Sequence, residues 1–166
     1  MEENIISIKK AKIVDEQFLD VEFTERLPNH ADKKVKLSCT VPVHDDLKLA
    51  FATLHKHLAI LCDEVEVGKK EKFANLDFPS FGARSFSIGG NDDSEGVTIS
   101  GYKVGKYGMV NLNTPFVKYG NDEYPFTSEL GENIQACLYE VSEYLFNGKK
   151  APDLQIEIAF PEEENK

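Results

Sequence analysis

The sequence predicts an α+β domain: two successive βββα halves plus a C-terminal strand, with an antiparallel sheet packed on two helices. Three observations carry this. Several stretches rich in Val, Ile and Phe alternate apolar and polar residues, the period of a half-buried strand. Two longer stretches repeat apolar residues at i, i+3, i+4 and i+7, the stripe of an amphipathic helix. The strands are separated by short turn-forming runs, which join antiparallel neighbours.

Taken in order, Ile5–Val14, Phe18–Glu25 and Lys34–Val41 read as the first three strands. Asp15–Gln17 is a short turn and LPNHAD a longer polar loop with Pro and Asn. After Pro42, Asp45 or Asp46 suits a helix N-cap. Leu47, Ala50, Phe51, Leu54, Leu58, Leu61, Cys62 and Val65 then trace one face of a helix of about five turns, ending near Gly68. A looser stretch, KKEKFANLDFPSFG, leads to strands Ala83–Gly89, Val97–Val104 and Met109–Leu112, with hairpin signals at GGNDDSEG and GKYG. Thr127 or Ser128 caps the second helix. Leu130, Ile134, Cys137, Leu138, Val141 and Leu145 form its stripe and Gly148 its stop. Leu154, Ile156, Ile158 and Phe160 alternate with Gln155, Glu157 and Ala159 in the closing strand.

A length of 166 residues suits one domain, residues 1–160, followed by an acidic tail, 161–166. The N-terminus MEENIISIKK lacks an apolar signal core and no run approaches 18 apolar residues, so secretion and membrane insertion are not expected. Cys39, Cys62 and Cys137, odd in number and set in apolar patterns, read as small core residues of a protein in the reducing cytoplasm of a host cell. The net charge of −10 argues against phosphate binding until its distribution is seen. Residues 121–166 hold 11 Asp and Glu against 3 Lys and Arg; residues 1–120 hold 18 against 16. The body is nearly balanced, and its lysines cluster at Lys9, Lys10 and Lys12, at Lys33, Lys34 and Lys36, and at Lys69, Lys70 and Lys72.

Readings as an enzyme fail in turn. His55 and His57 are two apart and a helix turns them away from each other, whereas a metal pair wants i, i+4. In GGNDDSEG, Asn91, Asp93 and Glu95 alternate in the manner of calcium ligands, but the position that needs a bidentate Glu is Tyr102. No glycine run cradles phosphate ahead of a helix, and no Ser or Cys sits in a nucleophile elbow. The expectation is a non-enzymatic protein with no cofactor and no metal.

Nucleic-acid binding fares better. Single strands are held by rings that stack on bases and by cations that follow the backbone. Lys69, Lys70, Lys72, Phe73, Arg84, Tyr102, Lys103, Lys106 and Tyr107 supply both chemistries within one stretch of chain. Phe78, Phe81 and Phe86 lie among them and suit a core equally well.

The segments PVHDDLKLAF, NLNTPF and YEVSEYLFNGK resemble uncharacterised small proteins encoded by bacteriophages and prophages. The repeated sheet-then-helix order is similar in topology to Whirly-type single-stranded DNA-binding folds, whose halves have four strands and a helix; their basic sequence signature has no match here. These readings give the expected function: a phage-type accessory of DNA replication or recombination that binds single-stranded DNA, with a host or phage replication protein as a second partner. The alternative is an acidic phage-encoded inhibitor or decoy that binds a host protein, using Glu129, Glu132, Glu140 and Glu143 as an acidic helix face.

The closing stretch carries a reading of its own. Gln155, Ile158 and Phe160 match the short peptide that docks on bacterial sliding clamps, a glutamine, an aliphatic residue and an aromatic two further on. A structural strand explains the same letters. If the strand is structural, removal of residues 154–166 lowers the melting temperature and removal of 161–166 does not. An unchanged melting temperature with loss of clamp binding would mark a docking peptide.

Overall fold

A computed structural model describes residues 5–68 and 70–152. The strand expected over Leu154–Phe160, the tail 161–166, and the candidate residues Lys69, Gln155, Ile158 and Phe160 lie outside the described residues.

The architecture is α+β: an open antiparallel sheet of seven strands packed against two helical elements, one of them bent. The strands are β1 (Ile5–Val14), β2 (Phe18–Arg26), β3 (Lys33–Ser38), β4 (Phe81–Gly89), β5 (Gly96–Gly105), β6 (Gly108–Asn113) and β7 (Val117–Lys118). Their order is β3-β2-β1-β4-β5-β6, with the two-residue β7 beside β5. Each half is thus a meander, and the two are joined through their first strands, with Lys10, Ala11 and Lys12 opposite Ser87, Phe86 and Ser85. Bulges flank this seam, at Lys9 in the pairing of β1 with β2 and at Arg84 in the pairing of β4 with β5. A bulge bends its strand and strengthens its twist, so β1 and β4 part at either end of the seam.

One face of the sheet is covered. Ala11, Leu19, Val21, Phe86, Val97 and Ile99 point at the helices and are buried. Phe51 packs on Phe86 with ring centroids 5.5 Å apart, directly above the seam. A fully buried side chain of this size contributes about 2–3 kcal/mol by transfer from water.

The first helical stretch differs from the single helix of five turns in two ways. It is broken into α1 (Asp45–Ala52) and α2 (Leu54–Leu61) at Thr53. The Ala50 carbonyl accepts from the Thr53 backbone N–H at 3.3 Å, from Thr53 Oγ1 at 2.6 Å and from Cys137 Sγ at 3.3 Å. Short-range hydrogen bonding of a Thr side chain to the preceding turn bends a helix in this manner. The stretch also stops seven residues before Gly68. Asp63 takes the left-handed conformation at φ 57, its N–H bonding to Ile60 O and that of Glu64 to Ala59 O, a Schellman stop built on aspartate instead of glycine. At the other end His44 is the N-cap, its Nδ1 accepting from Asp46 N–H at 3.0 Å, while Asp45 and Asp46 sit in the first turn where the dipole favours them.

Helix α3 (Thr127–Phe146) buries the expected Leu130, Ile134, Cys137 and Val141, and Gly148 turns the chain at φ 72. Its N-cap is Phe126, with Thr127 the first helical residue and bonded through Oγ1 to Tyr124 O. Strand β3 leaves its ladder at Ser38, three residues before expectation. Cys39 N–H still reaches Leu19 O, but the Val41 carbonyl is taken by the Tyr144 hydroxyl of α3, and Pro42 has no N–H to offer. Lys149 then ties the two helical elements together, its ammonium 2.8 Å from Asp46 and 2.9 Å from Glu140. None of the described helices is long and apolar enough to cross a membrane. The three cysteines are free; Cys137 is buried, which pushes its thiol up to about 12.

His57 is fully buried between α2 and α3. Its Nδ1 lies 2.6 Å from the Tyr124 hydroxyl and its Nε2 2.9 Å from Asn133 Oδ1, and Phe73 stacks on the ring at 4.5 Å. These partners suit a neutral ring that donates from Nε2 and accepts at Nδ1. Burial depresses its pKa to about 4 from 6.5. Between those values the unfolded chain binds the extra proton, so the contribution of His57 is complete above pH 6.5 and is lost as pH falls toward 4. The full difference is roughly 3 kcal/mol. Urea denaturation at pH 7 and pH 4 should show the native protein losing about that much more stability than a His57→Gln variant. Equal losses would mean that the ring is not held neutral.

Candidate functional site

Among the described residues the other face of the sheet carries no helix, and the strand period decides which residues it displays. Val21, Phe23, Ala11, Phe86 and Ile99 point at the helices, so their neighbours point away. Read across the strands, one row runs Lys36, Glu22, Lys10, Ser87, Thr98. The next runs Ser38, Asp20, Lys12, Ser85, Ser100, Asn113, with Ser85 itself buried among its neighbours. Lys34 stands opposite Thr24 at one edge and Asn111 opposite Tyr102 at the other. The two rows are polar, with lysines in the β1–β3 half and small hydroxyl and amide side chains in the β4–β6 half, while Arg84 and the exposed apolar Val104 and Met109 lie beyond them at the β4–β6 end. Ser100 Oγ donates to Asn113 Oδ1 at 2.5 Å, joining two members of a row.

Arg84 and Tyr102 meet on this face. The Arg84 guanidinium lies 4.5 Å from the centre of the Tyr102 ring and donates to Met109 Sδ at 3.5 Å. The ring itself lies across Gly82: a Cβ there would come within 2.4 Å of its phenol end. Arg84 holds its position because it is the bulge residue, turned out where the strand has one residue more than its partner. Arg84 covers the tyrosine, so the guanidinium plane, not the phenol, is the exposed stacking surface.

The remaining sequence-predicted residues divide. Lys106 and Tyr107 form the tip of the β5–β6 hairpin, with Tyr107 92 % exposed and the Lys106 ammonium 5.3 Å from its ring centre. Lys103 points to the helix side, bonded to Glu64 at 2.8 Å and lying 5.8 Å from the Phe81 ring centre. Phe73 belongs to an aromatic cluster in the helical layer, between His57 and Phe126, and Lys56 both donates to its carbonyl and sits over its ring. Lys70 and Lys72 flank it on a shallow depression with Glu71 and Asn75. Phe73, Lys70, Lys72 and Lys103 are therefore not on the surface that carries Arg84 and Tyr102. Phe81 and Phe86 are core.

Sequence reasoning passed over Lys10, Lys12, Lys34 and Lys36 as site residues, although their alternation with Ala11, Val35 and Leu37 was the available signal. No carboxylate pairs with any of these four among the described residues. Among the described residues no group of three or more His, Cys, Asp or Glu is arranged to hold a metal ion. No family model, curated protein or solved structure matches this chain.

The two glycines beside the Arg84 bulge separate a soft contact from a hard one. A Cβ at Gly101 would lie 2.0 Å from the Gly82 carbonyl oxygen, so backbone must move, whereas at Gly82 only the end of the tyrosine ring must swing aside. Gly101→Ala should cost about 1–3 kcal/mol in chemical denaturation and Gly82→Ala less than about 1. The reverse order would show that the ring is not seated on Gly82.

Proposed function

We propose that the protein binds single-stranded DNA on the helix-free face of its sheet, as a non-enzymatic accessory of phage-type DNA replication or recombination. The observation that supports this reading most is the company on that face: Lys10, Lys12, Lys34, Lys36 and Arg84 against Asp20 and Glu22. That is a local excess of positive charge on a chain of net charge −10. Cations supply the phosphate attraction, and the rows of Ser, Thr and Asn supply hydrogen bonds to phosphate and sugar that carry no sequence information. The exposed guanidinium of Arg84 and the phenol of Tyr107 supply planes on which bases stack. An open sheet face admits a flexible single strand more readily than a duplex, whose bases are already stacked on one another. The phage context comes from the resemblance of PVHDDLKLAF, NLNTPF and YEVSEYLFNGK to phage-encoded proteins.

The alternative of an acidic inhibitor leans on the glutamates of α3. Glu140 is held by Lys149, and Asn147 donates to Glu143, so half of that acidic face is engaged within the fold.

Fluorescence anisotropy with labelled oligo-dT tests the proposal. Binding should weaken with salt at a log–log slope of about −3, the value for four or five phosphate contacts on single-stranded DNA. Lys10→Glu with Lys36→Glu should weaken binding at least tenfold at low salt. Arg84→Ala and Tyr107→Ala should each cost about 1–3 kcal/mol of affinity. No binding to oligo-dT at low salt overturns the proposal.

A further inference from the structure

Where β1 and β4 part beyond Lys12 and Ser85, the sheet opens into a cleft of about 480 Å³, within the size range of small-ligand sites. Its floor is Phe51 of α1, and Ile13 and Ala83 form apolar walls from the two diverging strands. Lys12, Lys48 and Arg84 stand around it, and none of the three has an ion-pair partner among the described residues. His55 lines the helical side. Asp15 and Glu16, both in left-handed conformations in the β1–β2 turn, complete the rim. Burial holds the His55 imidazole below its ordinary pKa, so it is uncharged at neutral pH.

A cleft with apolar walls, bordered by three cations without an ion-pair partner among the described residues, has complementary chemistry to a planar ring that carries a phosphate. The ring takes the place of water against Ile13 and Ala83, and the phosphate is drawn to Lys12, Lys48 and Arg84. Carboxylates on the same rim can accept from the amino and imino groups of a base. We infer that the cleft takes one nucleotide unit, its base between Ile13 and Ala83 beside His55 and its phosphate among Lys12, Lys48 and Arg84. The unit is either a base turned out of a bound strand or a free mononucleotide. As a feature of strand binding, this rests on the proposal that the open face holds single-stranded DNA. The cleft opens onto that face beside Arg84, so a strand lying along the lysine rows passes its mouth.

Lys48 and His55 belong to the helical layer and Lys36 to the far half of the sheet, so cleft and face can be altered separately. Wild type, Lys48→Glu, His55→Leu and Lys36→Glu are titrated with thymidine monophosphate, followed by amide chemical shifts, and with labelled oligo-dT, followed by anisotropy. Lys48 is exposed, so its reversal leaves the fold intact, which the melting temperature checks. The mononucleotide should shift the amides of Val14, Lys48, His55 and Arg84. Lys48→Glu and His55→Leu should abolish those shifts and weaken oligo-dT several-fold, whereas Lys36→Glu should weaken oligo-dT alone. Mononucleotide binding at the cleft without oligo-dT binding would support a free nucleotide as occupant and overturn the proposed face. Oligo-dT binding that Lys48→Glu leaves unchanged, with no mononucleotide shifts at the cleft, would overturn the inference and leave the face standing. Binding of neither probe overturns both.

Discussion

The short seam between β1 and β4 is the constraint on which the rest of the molecule depends. Two meanders, each held by local hairpin pairing, become one sheet only because Ala11 and Phe86 lie opposite each other beneath Phe51. A small residue is needed on one side of that pair. With Ala11 fully buried, a larger side chain would lift the α1 ring off the sheet. The bulges at Lys9 and Arg84 keep the seam short, and the same distortion that limits pairing opens the cleft beside it and turns Arg84 outward. Sheet continuity and candidate site thus have one cause.

The helical layer is tied down by polar contacts that the apolar stripes do not imply. Cys137 of α3 donates to the carbonyl at which α1 bends, His57 of α2 is satisfied by Tyr124 and Asn133, and Lys149 bridges α1 and α3. Each of these fixes the position of one helix against another, where packing of Leu and Ile alone would allow sliding. The consequence for the sheet is that one face is sealed by the helical layer, while the other carries no helix among the described residues.

The edges of the sheet are unlike one another. Strand β3 carries Lys33, Lys34 and Lys36, charges that discourage another strand from pairing with it. Strand β6, GMVNLN, has no charge, and Met109 and Val110 are 60 % and 52 % exposed. Lys34 and Lys36 of that edge also belong to the basic half of the open face, so a single run of sequence serves both ends.

Much of the fold was legible in the sequence, because strand and helix periods are local properties of the chain. The six longer strands, the buried stripe of α3 and the Gly148 stop follow from the spacing of apolar residues and turn formers. Where local rules compete, only the tertiary structure decided. Aspartate at position 63 ended α2 before glycine at 68 could, Thr53 bent the helix by bonding to the same carbonyl that Cys137 reaches, and α3 drew Val41 out of the ladder. The candidate site divides in the same way. That Lys, Arg and Tyr cluster along the chain is visible in the letters, but which of them share a surface depends on pairing between residues far apart in sequence. Arg84 and Tyr102 meet while Phe73 and Lys103 turn to the helices, because a strand displays alternate residues on opposite faces and a single bulge shifts that alternation. Composition determined the chemistry available to this protein; the seam and its bulges determined where that chemistry is presented.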